Sequence, residues 1–369
     1  MPCTIKDVAR RAGLSPSTVS RVLNHSGYVS DDTRRRVDEA VTALGYQPNW
    51  LARGLRGKPS NLIGLIIPDI SNTYYTSIAQ VVSSTLRAHD YELVLCVNEE
   101  DAGIDLHYLQ ILQQKHVDGI LYTHPANGSN GPYLRQLALG GLPIVELNRQ
   151  REKDLLDATL ANNYQGAYMM TEYLIRRGHR RIGLILGETS VITGRERLEG
   201  YRNALKDAGL PVEPCFVRTG SFTRAHGEMA TLDLLDLPEP PTVIFAASNR
   251  ILMGVLAVLD ERNLRVPEDI SVVAFDNSEW LSIWRPPITC VDIAVDEMAR
   301  LAADLLLKRI ESRSQPRKPV TYLLSTSLIE RASCRVLPTL GPLLTTEGEP
   351  YEGLYGEAVT DRPQPAVRN

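Results

Sequence analysis

Nothing in this sequence suits a disulfide framework or a metal-bound fold. Its five cysteines (Cys3, Cys96, Cys215, Cys290 and Cys334) are odd in number, scattered and free of any C-x-x-C pair, so they read as reduced cytosolic thiols. The seven histidines show no metal-ligand spacing. His179, in "RRGHRRIG", is expected to close a helix, because positive side chains favour that end. No apolar run approaches the roughly 18 residues that cross a membrane. The start, "MPCTIKDVARRAG", is polar and charged where a secretory signal needs an apolar stretch. A cytoplasmic protein with no membrane partner is therefore expected. Catalytic signatures are missing too. Neither "GSNGP" (128–132) nor "LILGETS" (184–190) is a G-x-x-x-x-G-K-[ST] phosphate loop, and no G-x-S-x-G or H-E-x-x-H occurs. No enzymatic activity and no cofactor are expected.

What remains is an ordinary globular composition, 43% apolar and 23% charged over 369 residues, enough chain for two or three domains. Its net charge of -4 is unevenly spread. Residues 1–58 carry ten Lys/Arg against five Asp/Glu, a local +5, and the rest carries 30 against 39, or -9. A basic head on an acidic body suits a polyanion bound at one end; a merely solvated charged surface is the alternative that charge leaves open.

The basic head reads as three short helices. Thr4 can cap the first, with Asp7 three positions on, and Ile5, Val8, Ala9 and Ala12 follow at helical spacing before Gly13. Ser15 can cap a second that starts at Pro16, where a missing N–H costs nothing. Val19, Val22 and Leu23 then face inward, and Ser17, Ser20, Arg21 and Asn24 outward. A third is capped by Ser30, buries Val37, Ala40, Val41 and Leu44, and ends at Gly45. The tight turn between the first two describes a helix-turn-helix unit whose second helix can enter the major groove. Ser17 and Arg21, one turn apart, can touch base edges, and arginine pairs in bidentate fashion with guanine. Thr4, Ser20, Ser30 and Thr33 can bond phosphates. A small helical bundle whose serines are only caps is the competing reading. Next, "YQPNWLARGLRGKPSN" can form a short helix from Pro48, weakened by Gly54, that folds when two copies lie in a minor groove and push Leu55 between base pairs; a plain interdomain linker is the alternative.

The run "TIKDVARRAGLSPSTVSRVLN…VSDDTRRRV…LGYQPNWLARGLR" resembles the headpiece and hinge of the lac/galactose repressor family of bacterial transcription regulators, and the resemblance extends to about Ser333. It implies that Ser17, Thr18 and Arg21 read operator bases and that Ala52 and Leu55 enter the minor groove. Pro16-Ser17 replaces bulkier pairs of some relatives, which shifts direct readout toward Arg21.

From Leu62 short apolar runs alternate with helical ones, the pattern of a parallel α/β sheet. "LIGLIIPD", "YELVLCVN", "VDGILYTH" and "PIVELN" read as strands of one half; "RIGLILG", "PCFVRTGSF", "PTVIFAAS" and "ISVVAFDN" read as strands of another. Such sheets bind ligands beyond the carboxyl ends of their strands. There the sequence places Asp69, Asn72, Tyr74 and Tyr75, then Asn148 and Arg149, Ser248 and Asn249, and Asp276 and Asn277. Two lobes with a polar cleft suit a hydroxyl-rich small molecule, although turn or helix capping would also explain each of these residues. The family resemblance implies a periplasmic-binding-protein-like core of doubly wound parallel sheets, joined by crossovers near Asn162, Val291 and Tyr322, with Tyr74, Asn148, Arg197, Phe245 and Asp276 in the effector pocket. Asn148, Asn162 and Ser248-Asn249 stand where many relatives have Asp, Asp and Asn-Asp, so a less negative pocket is expected.

The expected organisation is thus an α/β protein with a three-helix helix-turn-helix headpiece (1–47), a hinge helix and linker (48–60), a first lobe (61–162 with 291–322), a second (163–290 with 323–333), and a flexible tail (334–369) whose Pro338 and Pro342 break any leucine coil. Its expected function is operator-binding transcriptional control, as a repressor, by a homodimer on palindromic double-stranded DNA, governed by a sugar or sugar derivative. Its rivals are a sugar receptor without a DNA role and an α/β enzyme acting on sugars.

Overall fold

The computed structural model describes residues 3–23, 27–46, 59–312 and 318–338. Asn24, Ala52, Leu55, the expected hinge helix and the tail from 339 onward lie outside the described residues.

The head is three helices, α1 (Ile5–Ala12), α2 (Pro16–Leu23) and α3 (Asp31–Leu44). Each boundary follows local chemistry. The Thr4 amide and hydroxyl both donate to the Asp7 carboxylate, at 3.0 and 2.6 Å. Gly13 and Gly45 end α1 and α3 in the left-handed conformation, at φ of 65° and 57°, which glycine adopts without steric cost. The Ser15 hydroxyl accepts from the Thr18 amide, and Ser30 accepts from that of Thr33. Val8, Ala9, Ala12, Val19, Val22, Val37 and Ala40 form the core, with Val41 and Leu44 only half-buried. The Arg36 guanidinium donates to the Ala12 carbonyl at 2.7 Å and so ties α3 to the end of α1.

The body consists of two six-stranded sheets. The first lobe contains β1 (Leu62–Ile67), α4 (Thr73–Arg87), β2 (Glu92–Val97), α5 (Ala102–Gln114), β3 (Gly119–Tyr122), α6 (Gly131–Leu139), β4 (Ile144–Leu147) and β5 (Asp157–Ala161). The second contains α7 (Asn163–Arg176), β6 (Ile182–Leu186), α8 (Ile192–Asp207), β7 (Val217–Thr219), α9 (Arg224–Leu235), β8 (Val243–Ala246), α10 (Asn249–Glu261), β9 (Ser271–Phe275), α11 (Trp280–Ile283) and β10 (Thr289–Ile293). The chain then returns α12 (Val295–Glu311) and β11 (Thr321–Leu324) to the first lobe and β12 (Thr326–Ile329) to the second. The strand orders are β11-β5-β4-β3-β1-β2 and β12-β10-β9-β8-β6-β7. Every pairing is parallel except β10 with β12. Helices cover both faces, which is why β3, β4, β8 and β9 are buried throughout and mostly apolar, with Glu146 in β4 and Ser271 in β9 the polar exceptions.

The structure corrects several boundaries. The second crossover falls at Ala294 rather than near Val291, because β10 continues its pairing with β12 to Ile293. The third falls at Ser325 rather than near Tyr322, because β11 pairs with β5 through Leu324. Of the expected strand "PCFVRTGSF" only Val217–Thr219 is extended; Pro214–Phe216 forms a 3-10 turn. Ser60, assigned to the linker, donates to Asp118 at 3.3 Å and is buried with the first lobe. The tail cannot begin at 334: Cys334 is buried, the Leu337 amide donates to the Arg177 carbonyl at 2.8 Å, and Arg335 bonds the Glu268 carbonyl and the Ser271 hydroxyl. His179 does follow the end of α7 but supplies no charge there. It is fully buried between the Thr242 hydroxyl (2.8 Å) and the Arg335 carbonyl (3.1 Å), and burial lowers its pKa to about 4.

Candidate functional site

Two surfaces collect the residues that the sequence singles out. On the head, Ser17 and Arg21 are exposed on α2. Arg21 makes no hydrogen bond or ion pair among the described residues. The hydroxyls are already engaged: Ser15 Oγ lies 2.7 Å from Ser17 Oγ and 2.9 Å from Thr18 Oγ1, Ser30 Oγ lies 2.9 Å from Thr33 Oγ1, and Thr4 donates to Asp7. Ser20 is half-buried. To donate to a phosphate, Thr4 must give up its bond to Asp7, whereas the Arg21 guanidinium is ready for a partner.

In the body, a cavity of about 430 Å³ lies between the lobes at the carboxyl ends of both sheets. The first lobe lines it with Asp69, Tyr74 and Tyr75 after β1, Glu99 and Glu100 after β2, and Asn148 and Arg149 after β4. The second contributes Glu188, Thr193 and Arg197 after β6, Phe222 after β7, Ser248 after β8 and Asp276 after β9. Parallel sheets leave a crevice at this edge because each crossover starts there. Glu100, Asn148 and Asp276 sit at φ of 60°, 64° and 74°, a left-handed conformation that is uncommon outside glycine and concentrates at functional sites.

The polar groups hold one another in fixed poses. The Asn148 carbonyl oxygen accepts from Tyr74 Oη at 2.9 Å and its amide donates to Tyr75 Oη at 3.2 Å. The Tyr74 and Tyr75 rings meet edge to face at 5.0 Å. Arg149 forks onto Glu100 with bonds of 2.6 and 2.7 Å and also donates to the His124 carbonyl at 2.7 Å. Arg197 donates to Asn163 Oδ1 (2.9 Å) and the Ala247 carbonyl (2.5 Å), lies 3.7 Å over the Phe275 ring and keeps a nitrogen 3.7 Å from Asp276. Ser248 caps α10 through the Ile251 amide.

Burial dominates the titration of the site. It raises the pKa of Asp276, with Arg197 acting in the opposite direction, and likewise raises that of Glu188. It lowers that of Arg197, opposed by Asp276. Burial pushes Tyr75 up to about 12 and raises Tyr74 well above its usual value. On Arg149 burial opposes the charge, but Tyr75 and Glu100 outweigh it and the pKa is raised. Asp276 Oδ1, Thr193 Oγ1 and Glu188 Oε2 are buried without a hydrogen-bond partner among the described residues. Such groups are costly unless something satisfies them, and a hydroxyl-bearing molecule in this cavity could.

Of the expected pocket residues, Asp69, Tyr74, Tyr75, Asn148, Arg149, Arg197, Ser248 and Asp276 converge here. Phe245 does not: it lies inside β8, fully buried, stacked 6.4 Å from Phe275. The aromatic face belongs instead to Phe222, which lies against Gly187, where a Cβ would be 2.3 Å from the ring, and under the Arg149 guanidinium at 5.3 Å. Glu99, Glu100 and Glu188 join Asp69 and Asp276 against two arginines. These glutamates follow strands β2 and β6, so the strand-end rule that finds Tyr74 reaches them too.

Comparison with known proteins covers both parts of the chain. Residues 4–49 match the family model "Bacterial regulatory proteins, lacI family", and residues 60–326 match "Periplasmic binding proteins and sugar binding domain of LacI family". The chain is 35% identical to the HTH-type transcriptional repressor PurR of Edwardsiella ictaluri over 89% of its length and 96% of that protein. It is 33% identical to PurR of Actinobacillus pleuropneumoniae serotype 3 over 90% and 99%. Among solved structures it resembles a lac repressor dimer bound to operator and the anti-inducer ONPF, with a TM-score of 0.77 and 27% identity over 91% of this chain and 100% of that one. It also resembles the transcriptional regulator CelR in complex with cellobiose, with a TM-score of 0.67 and 32% identity over 90% and 99%.

Proposed function

The chain belongs to the LacI family of bacterial regulatory proteins, and on that premise we propose which of its residues read DNA and which sense the effector. It is a sequence-specific DNA-binding transcriptional regulator under small-molecule control. In our reading it represses as a homodimer in the cell compartment that holds its operator, each head taking one half-site of a palindrome. Arg21 contacts a base edge in the major groove, Ser17 and Thr18 stand beside it, and Thr4, Ser20, Ser30 and Thr33 meet phosphates. For Asn24, Ala52 and Leu55 the proposal rests on the sequence alone.

The effector is a hydroxyl-rich molecule, a sugar or sugar derivative. Asp276 and Arg197 take adjacent hydroxyls, Phe222 covers one face of the ring, and Asn148, already fixed by Tyr74 and Tyr75, offers its remaining amide hydrogen. The cavity volume suits a ligand of that size, and a structural neighbour that holds cellobiose supports the class. The observation that carries this reading is that the cavity takes walls from both lobes, so a bound molecule changes the energy of their closure. Coupling of this kind is typically about 1–3 kcal/mol, or roughly 5- to 150-fold in operator affinity.

A receptor without a DNA role leaves the head over residues 4–49 unexplained. A thermal-shift screen of the full chain against sugars, polyols, sugar acids and nucleobases tests the effector class, because a ligand of the folded state raises the melting temperature. A hit confined to nucleobases would reject it.

A further inference from the structure

A second cavity of about 520 Å³ shares Arg149 with the first, and its charge is opposite. One wall is the segment Arg149–Lys153 that follows β4; the other is Ser190–Arg195, which runs into the first turn of α8. Arg151, Lys153 and Arg195 line it with three cationic residues from both lobes, and none is in an ion pair among the described residues. Glu152, the carboxylate in its lining, is bound to Arg135 at 2.6 Å. The 16-residue helix α8 begins at Ile192, and its N-cap Val191 makes no side-chain cap hydrogen bond, so no N-cap side chain competes for its first-turn N–H groups and positive dipole end.

A helix terminus alone would not define a site. The second observation is Arg149, which is 3% exposed and whose Nε–H has no hydrogen-bond partner, although its other nitrogens are held by Glu100 and His124. Because Arg149 lines both cavities, its buried, unpartnered N–H is a donor in search of an acceptor. The ligand that fits is an oxyanion: it accepts from Arg149 Nε and the α8 amides together and neutralises cations from both lobes.

We propose that this second cavity binds a phosphate-class oxyanion that bridges the two lobes at Arg151, Lys153 and Arg195. The anion is either free or the anionic end of a molecule whose polyol part occupies the central cavity; only the latter source rests on the effector reading given above. In both cases it draws the loop after β4 toward α8 and so favours closure.

The probe is inorganic phosphate, titrated into the full chain against chloride at equal ionic strength and followed by calorimetry and melting temperature. The comparison is a double variant, Arg151→Gln with Arg195→Gln. Both side chains are exposed, and Arg87→Gln, on the far end of α4, is the control. Phosphate should stabilise wild type and the control beyond chloride, and the double variant should lose about tenfold or more in phosphate affinity. Sugars paired with their phosphate monoesters separate the sources. An ester preference that the double variant abolishes assigns the site to the effector's own end, and a phosphate effect without ester preference assigns it to a free ion. If wild type answers phosphate no differently from chloride and prefers no ester, or if the double variant matches wild type, the proposal is overturned. Retained operator binding in that variant shows that the family function stands regardless.

Discussion

Among the described residues, one ion pair and two hydrogen bonds cross the cleft, and loosening two of these should uncouple the sensor. Arg250 Nε lies 3.3 Å from Asp69 Oδ2, with side chains 27% and 34% exposed. Thr73 Oγ1 lies 2.7 Å from Ser278 Oγ. Ser190 donates to the Ala126 carbonyl at 3.3 Å. The perturbation is Arg250→Met with Thr73→Val, since neither residue lines the central cavity. The ion pair is part-exposed and Arg250 Nε makes no aligned hydrogen bond, so its loss costs only about 0.5 kcal/mol. The hydroxyl pair contributes about 0.5–1.5 kcal/mol. Together they should move the open–closed equilibrium by about 1–2 kcal/mol, roughly 5- to 30-fold toward open. The assay is small-angle scattering of the full chain with calorimetry of the effector found by screening. The variant should show a larger radius of gyration and an effector affinity weakened within that range, while Arg262→Met, which breaks an exposed pair with Asp236 inside one lobe, should change neither. Unchanged scattering and unchanged affinity in the double variant would refute the clasp.

Other substitutions separate the remaining roles. Arg21→Ala should relax base preference at one operator position at a cost of about 1–3 kcal/mol and leave effector binding intact; an equal loss on every sequence, measured by anisotropy, would make Arg21 a phosphate contact. Asp276→Asn should raise the melting temperature, because burial already disfavours the charged carboxylate, yet weaken the effector by about 10- to 100-fold through the loss of charge-assisted bonds. His179 should make the protein acid-sensitive. Its pKa is about 4 when folded against a usual 6.5, so the unfolded chain binds the extra proton; its contribution is complete above pH 6.5 and fades as pH falls toward 4, by at most about 3 kcal/mol. Denaturant titrations across that window should lose this component in His179→Gln.

The legible parts of this chain were those fixed by local chemistry. Thr4 with Asp7, Pro16 behind Ser15, and Gly13 and Gly45 punctuate the head within a few residues, so its helices follow from spacing. Strands covered on both faces are also plain, because nothing polar interrupts "GILY" or "VIFA". Edge and crossover strands were not. The three leading residues of β11 are exposed, and β5 opens on Asp157, whose burial makes sense only beside Arg309, 152 positions away. No local pattern announces such a partner.

At the cavity the strand-end rule found Asp69, Asn148 and Asp276 because each lies just past a strong apolar run. Phe245 entered by resemblance alone, and its place within β8 points it into the core. Phe222 follows a strand of only three residues, too short to announce its own end. The role of His179 depended on Thr242 and Arg335, distant in sequence, which turned a helix-end cation into a buried neutral ring.

The direct measurement is the affinity of the full chain for a palindromic duplex, selected from a random pool, and for its scrambled counterpart across a salt series, with and without the effector. The account predicts a steep fall with salt, a preference for the palindrome of about a thousandfold or more, and a shift in that affinity on adding the effector. Equal affinity for the two duplexes, or an affinity that the bound effector leaves untouched, would contradict it.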